Sequence, residues 1–288
     1  MKTGGSIIRG AVTVTALLTI GVFLFLFLFI GYEGMPVFSL TGGYTFLFTT
    51  AWNPTAARPE LGIGTMIAGS LYVSFLAVLM ALPCGVGCAV YIIFCAPRRW
   101  REMLLSFIDL IAGVPSVIFG FIGLTTVVRF MERSLSVSTG ECVLAAAVVL
   151  AVMILPFIVA NCAESVCSGR ERYEEASLAL GVDKWHMIMH LLPRHLREAL
   201  TVSLILSFAR ATGETMAVMM VMGNAAVMPT LLGKGESVPA LIALEMGSAE
   251  YGSPHYHALY AAGMVLMAVL ILSNLLFYYI KRRGGGER

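Results

Sequence analysis

Six stretches of this 288-residue sequence stay apolar for twenty residues or more: 9–31, 66–95, 104–128, 142–163, 199–223 and 258–280. Crossing the hydrocarbon core of a bilayer takes about 20 apolar residues in a helix. No water is present there to satisfy open backbone groups, so each stretch must be helical. The pattern predicts an all-α integral membrane protein with six transmembrane helices. Composition agrees, with 58% hydrophobic and 12% charged residues. Soluble domains carry about 25% charged residues, and a soluble chain this apolar would aggregate through exposed patches. The first apolar run, 7–30, is longer than a signal-peptide core and has no small-residue cleavage site, so it reads as a retained helix.

Charge placement gives the chain a direction. If the N-terminus is inside, fourteen of the 19 Lys and Arg residues fall on that side, against Arg58, Arg129, Arg133 and Lys234 outside and Arg210 within a span. By the positive-inside rule both termini are cytoplasmic, as expected of a multi-pass protein of the cytoplasmic membrane. A net charge of +2 gives no nucleic-acid reading. The six cysteines form no C-x-x-C pair and mostly sit in or beside apolar runs, which points to small buried residues and to no metal site or disulfide. The chain divides into an N-terminal span with its external loop (1–65), a core (66–280) and a basic cytoplasmic tail (281–288). The outer loops 32–65 and 224–257 hold Trp52-Asn53-Pro54 and Pro229, Pro239 and Pro254, and read as partly ordered or re-entrant.

Two places break the apolar pattern. The first is the cytoplasmic segment 168–197. Glu174, Glu175, Ala176, Leu178, Ala179 and Leu180 predict a short helix, Gly181 its stop, and Asp183 the cap of a second helix. Trp185, Ile188 and Leu192 share one face of that second helix. The result is a compact, partly apolar knob. His186 and His190 have i, i+4 spacing, but no H-E-x-x-H pattern accompanies them, so they read as loop histidines.

The second is Arg210 and Glu214, within the fifth apolar stretch. A charge at mid-membrane costs roughly 2.5–3.5 kcal/mol on insertion scales, so two of them need a reason. In a continuous helix Ser203, Ser207, Arg210 and Glu214 form one polar stripe. The stripe fits an anion, because a guanidinium fork bonds two oxyanion oxygens. It fits equally an ion pair that joins helices and never meets substrate. Thr212 and Thr215 are weaker candidates, able to bond backbone carbonyls. Asp109 lies close in sequence to Arg98, Arg99 and Arg101 and reads as interfacial.

These residues carry a resemblance. Glu175-Ala176-Ser177, then Gly181, then Leu191-Leu192-Pro193 is similar to the EAA loop of ABC importer permeases, E-A-A-x3-G-x9-I-x-L-P. Ser177 replaces the second alanine and the ending is one residue shorter. Gly213-Glu214-Thr215-Met216-Ala217-Val218 resembles the G-E-T-M-A-V signature of PstC-type permeases of phosphate importers. Val114-Pro115-Ser116-Val117-Ile118-Phe119-Gly120 and the stretch 81–87 resemble further segments of that family, and Gly223-Asn224 its usual ending.

The resemblance implies a type I ABC importer permease fold (MetI-like) and an ATP-driven phosphate permease subunit. It makes Glu174, Glu175, Ala176, Gly181 and Pro193 the coupling residues that dock on an ATPase. Arg210 and Glu214, with Ser207 and Ser203, become candidates for substrate passage. Gly113, Pro115, Ser116 and Gly120 become gate or packing positions. The implied partners are a second, PstA-type permease, two PstB-type ATPases, a PstS-type phosphate-binding protein and membrane lipid. Gly-x4-Gly-Lys-[Ser/Thr] is absent, so ATP and Mg belong to the ATPase and this chain binds no cofactor and is no enzyme by itself. The alternatives are a sulfate or molybdate permease, or an ion-coupled transporter using Glu214. The latter class often shows internal repeats, which this sequence lacks.

Overall fold

A computed structural model describes residues 2–135 and 139–284. The chain opens with α1 (Lys2–Thr41) and a short α2 (Gly43–Phe48), then β1 (Trp52–Asn53) paired antiparallel with β2 (Glu60–Leu61). Next come α3 (Gly64–Val90), closed by a π turn at Tyr91–Cys95, and α4 (Arg98–Ala112). After these, α5 (Ser116–Ile122) runs through a π turn into α6 (Arg129–Leu135). The long α7 (Val143–Ala179) precedes α8 (Lys184–His186), a π turn and α9 (Leu192–Thr212). Finally come α10 (Met216–Val221), α11 (Val238–Glu245) and α12 (Pro254–Gly284).

Among the described residues, four helical segments are long and apolar enough to cross a membrane: Arg9–Thr41, Gly64–Cys95, Val143–Ser168 and Pro254–Leu276. A fifth candidate is a bent pair, Arg98–Ala112 with Ser116–Ser134, turned by 94°. This corrects two of the six expected spans. The third, 104–128, is not one helix: Gly113-Val114-Pro115 divides it, because a proline at 115 cannot donate the backbone bond a continuing helix needs. The fifth, 199–223, is divided between α9 and α10 at Gly213-Glu214-Thr215.

The centre of the molecule is α7, with Leu150, Ile154 and Ile158 fully buried. It packs most extensively on α3 and then on α9. Between helices in lipid the hydrophobic effect gives little, so association depends on close van der Waals contact and small residues. That is what the interface contains. A Cβ added to Gly85 of α3 would meet the Ile158 side chain at 2.6 Å, and Ala145, Ala146 and Ala147 are fully buried. A second cluster, around Val37, Phe46, Ile63, Leu241 and Leu259, joins α1, α2, α11 and α12. Most apolar side chains of α1 between Val12 and Leu28 remain exposed, as lipid-facing residues would be.

One end of the bundle is closed by the loop between α10 and α11. The Leu231 and Gly233 carbonyls accept from the first amides of α7, Leu144 and Val143, at 2.9 and 3.0 Å. Where that loop enters α11, the Val238 amide donates to the Ser70 hydroxyl of α3 at 2.9 Å. Lys234 pairs with Glu141 at 3.0 Å. Trp52 Nε1 and His255 Nε2 both bond the Glu245 carboxylate, at 3.1 and 2.7 Å, tying the β-hairpin to α11 and α12.

Glu236, in this loop, is only 5% exposed. Burial, and then repulsion from Glu245, pushes its carboxyl up to about 7 from 4.5. The folded chain therefore keeps this proton where the unfolded chain has released it. The contribution to stability declines as pH rises from about 4.5 to 7. Glu236→Gln is expected to stabilise the fold at pH 8 by up to about 3 kcal/mol, seen as a higher midpoint of thermal unfolding, and to leave the midpoint unchanged at pH 4.5. Thermal unfolding of the detergent-solubilised chain at the two pH values checks this.

Candidate functional site

α9 ends at Thr212, whose hydroxyl turns back to the Phe208 carbonyl at 2.8 Å. Gly213 N still reaches Ala209 O at 3.2 Å, and Glu214 N reaches Ala211 O at 3.3 Å, after which the helix stops. The Glu214 carboxylate then accepts from Ala217 N at 3.2 Å and caps α10. A carboxylate is well placed there, because the first amides of a helix carry partial positive charge and lack helical partners. At the far end of α10, Asn224 takes a left-handed backbone, φ 43°, and its Nδ2 donates to Met219 O at 2.7 Å. Asn tolerates that conformation better than most residues.

The break rearranges the expected stripe. Ser203 and Ser207 are buried in the helical interior, with Ser203 Oγ 3.9 Å from Cys162 Sγ of α7. Ser207 Oγ is buried with no hydrogen-bond partner among the described residues. Arg210 is exposed, and its guanidinium carbon lies 4.2 Å from the centre of the Phe157 ring, also on α7. Among the described residues no ion pair joins Arg210 to Glu214. The expected i, i+4 pair is therefore not made: the helix ends between its two members, and the carboxylate is taken by the Ala217 amide of α10. What remains is a guanidinium over an aromatic ring, an arrangement worth about 0.5–2 kcal/mol, with its N–H groups uncommitted among the described residues.

The segment expected to gate or pack divides in two. Gly113 ends α4 and Pro115 precedes α5, so both belong to the 94° bend, and Ser116 is the first residue of α5. Gly120 is buried against α10: an added Cβ would lie 2.8 Å from Met220 Sδ and 3.0 Å from Ala217 Cα. That contact brings the α5 backbone directly onto the helix that Glu214 caps. Gly120→Leu is expected to cost about 1–3 kcal/mol by overpacking, because the Ala217 backbone cannot move aside. The loss should show as earlier thermal aggregation in detergent, with Gly120→Ala intermediate.

At the opposite end of α9 lies the knob. Its first helix is not separate but is the last part of α7, and Gly181 ends it with a left-handed φ of 63°. Ser177 Oγ donates to Val182 O at 2.7 Å, and Asp183 Oδ2 accepts from Trp185 N at 3.1 Å, so the turn is fixed from both sides. The expected face of Trp185 and Ile188 is split, since the π turn at Met187–Leu191 shifts the register: Ile188 is buried and Trp185 exposed. Glu175 and Ala176 are exposed on the knob, and Pro193 is the second residue of α9, its side chain outside the described set. In the sequence Leu178 and Leu180 read only as helix formers. They stand 80% and 78% exposed, and Trp185 and Met189 of the same loop are exposed too, so the charged loop carries apolar side chains open to solvent. Among the described residues no group of three or more metal-ligating side chains occurs.

The chain is similar to known transport proteins over most of its length. The family described as binding-protein-dependent transport system inner membrane component matches residues 81–284. A probable ABC transporter permease protein, YqgH of Bacillus subtilis, is 36% identical over 278 residues, covering 96% of this chain and 90% of that protein. A probable phosphate transport system permease protein PstC of Methanocaldococcus jannaschii is 30% identical over 284 residues, with 91% and 90% covered. PstC of Xylella fastidiosa strain Temecula1 is 31% identical over 267 residues, with 84% and 81% covered. Among solved structures, a bacterial ABC transporter for import of the polysaccharide alginate aligns with TM-score 0.61 at 16% identity, covering 98% of this chain and 99% of that one. The inward-facing methionine transporter MetNI aligns with TM-score 0.57 at 17% identity, covering 75% and 92%. At such identities the structures establish the fold alone, a helical importer-permease fold, while the sequence match establishes kinship. This chain belongs to the family of binding-protein-dependent transport system inner membrane components, and is a membrane permease subunit of an ABC importer.

Proposed function

We propose that the chain is one of two permease halves of an importer that carries inorganic phosphate inward across the cytoplasmic membrane, with both termini inside. The observation that carries this reading is the exposed Arg210 guanidinium, set on Phe157 at a helix break with no carboxylate paired to it among the described residues. A planar fork of N–H donors suits a tetrahedral oxyanion, because it can bond two of its oxygens at once. The phosphate-permease names of several relatives support phosphate over other oxyanions.

The mechanism is alternating access. The knob joins α7 to the α8–α9 segment, and α9 ends at the break beside Arg210. Two PstB-type ATPases, which bind the ATP and Mg, grip the knobs of this chain and of a PstA-type partner, at Glu174, Glu175, Ala176, Gly181 and Pro193. A PstS-type binding protein delivers phosphate outside. Closure of the ATPases shifts α9, and the Arg210 end of the pathway opens to the other side. Glu214 acts by capping α10, which fixes the break and leaves Arg210 free to meet the anion. Ser203 and Ser207 hold α9 against the interior of the bundle.

Uptake of radiolabelled phosphate in cells that depend on this chain tests the reading. Excess unlabelled phosphate should compete while sulfate and molybdate do not. Competition by sulfate would reassign the oxyanion. Uptake that survives loss of the ATPase and collapses with the proton gradient would make the chain a secondary transporter.

A further inference from the structure

Helix α4 has no buried residue, yet it has three distinct faces. Leu104, Leu105 and Ile108 pack against the core around α7. Trp100, Met103, Phe107 and Leu110 form an apolar stripe at helical spacing, each more than half exposed. Arg98, Glu102, Ser106 and Asp109 line the third face, with Arg99 beside them, all exposed. At 15 residues α4 is about 22 Å long, too short to span a bilayer.

The placement of α4 is fixed at both ends. Arg101 donates from Nε to Ile92 O at 3.1 Å and from a terminal nitrogen to Ile93 O at 2.6 Å, which binds the start of α4 to the end of α3. The bend of 94° before α5 then lays it across the spanning direction of the next helix. The first part of α3, at Ser70, is held by the first amide of α11, and the start of α7 is held by the loop that leads into α11. The end of α3, from which α4 departs, is therefore on the same side of the membrane as the knob that ends α7.

A helix lying in the membrane plane with an apolar stripe and arginines at its edge has the chemistry of an interfacial helix. Its charges are two exposed arginines at the start, with Glu102 only loosely paired to Arg98 at 3.8 Å. Such a surface pair contributes little, so both guanidinium groups remain open to phosphodiesters. We propose that α4 is a lipid-reading helix. Arg98 and Arg99 hold the headgroups of anionic phospholipids, while Trp100, Met103, Phe107 and Leu110 lie among the acyl chains.

Trp100 supplies the readout. The full chain is placed in nanodiscs of phosphatidylcholine and phosphatidylglycerol at a fixed 7:3 ratio, with bromine carried on one lipid or the other. The Trp100 emission is the difference between the native chain and Trp100→Phe. Per brominated lipid present, phosphatidylglycerol is expected to quench Trp100 about twofold or more over phosphatidylcholine, since each basic residue near the surface favours anionic lipid severalfold. In Arg98→Gln/Arg99→Gln the two lipids should quench equally. Persisting quenching by phosphatidylcholine there would show that the helix still lies in lipid. Equal quenching in the native chain would overturn the proposal by removing the headgroup preference. Absence of quenching by either lipid would overturn it by showing that protein or water covers the stripe.

Discussion

Arg210→Gln is expected to lower initial phosphate uptake by about 10–100-fold at unchanged membrane level. The range reflects the loss of a charge-assisted, two-point hydrogen bond, about 1.5–3 kcal/mol. Arg210→Lys keeps the charge but loses the planar fork and its seat on Phe157, so uptake should fall by about tenfold. Glu214→Gln should cost less, because an amide oxygen can still accept from Ala217 N and the lost part is the charge at the helix start, about 0.3–1 kcal/mol. This ordering separates a capping Glu214 from an Arg210–Glu214 ion pair, in which removing either member would cost alike. Uptake rates with quantified membrane expression decide the matter.

The second large effect is expected at the knob. Leu178 and Leu180 expose their side chains almost fully on a loop that holds Glu174 and Glu175 and faces the cytoplasm in the proposed orientation. Apolar residues standing out of a charged surface mark a docking point. If each anchors the ATPase by about 2 kcal/mol, as residues at interface centres do, Leu178→Glu/Leu180→Glu should weaken association by about 10³-fold. The ATPase should no longer co-purify, and uptake should cease. The folded bundle should be unaffected, because neither side chain is part of the core. Gel filtration of the variant alone checks that, and retained co-purification would place the contact elsewhere on the chain.

Much of this architecture was legible in the sequence, and the exceptions have a common cause. Runs of apolar residues report that a segment lies in lipid, but they average over bends. The stretch 104–128 reads as one span, although its first nine residues belong to α4, which is turned 94° from the helix that follows. Pro115 carried the signal, and the chain turns by 94° there where one continuous span was expected. At 213–215 the signal was weaker. Gly213 and the capping capacity of Glu214 could have been read as a helix stop and then a start. Helical periodicity carried straight through that stop and placed Glu214 beside Arg210. The knob was legible because its turn chemistry is local: Gly181 takes the left-handed conformation, and Asp183 caps the helical segment after it. Exposure of Leu178 and Leu180 was not legible, because it depends on how far α7 extends beyond the bundle. The buried carboxyl of Glu236 was hidden for a similar reason, as its surroundings are assembled from α3, α11 and the outer loop.

The central claim is that this chain passes phosphate under the drive of ATP hydrolysed elsewhere. It is tested most directly by purifying the complete complex and reconstituting it in liposomes with the binding protein on one side and ATP on the other. The expected result is accumulation of radiolabelled phosphate that requires hydrolysable ATP and is lost with Arg210→Gln while basal ATPase activity persists. Accumulation driven by a proton gradient without ATP, or full uptake by the Arg210→Gln complex, would contradict it.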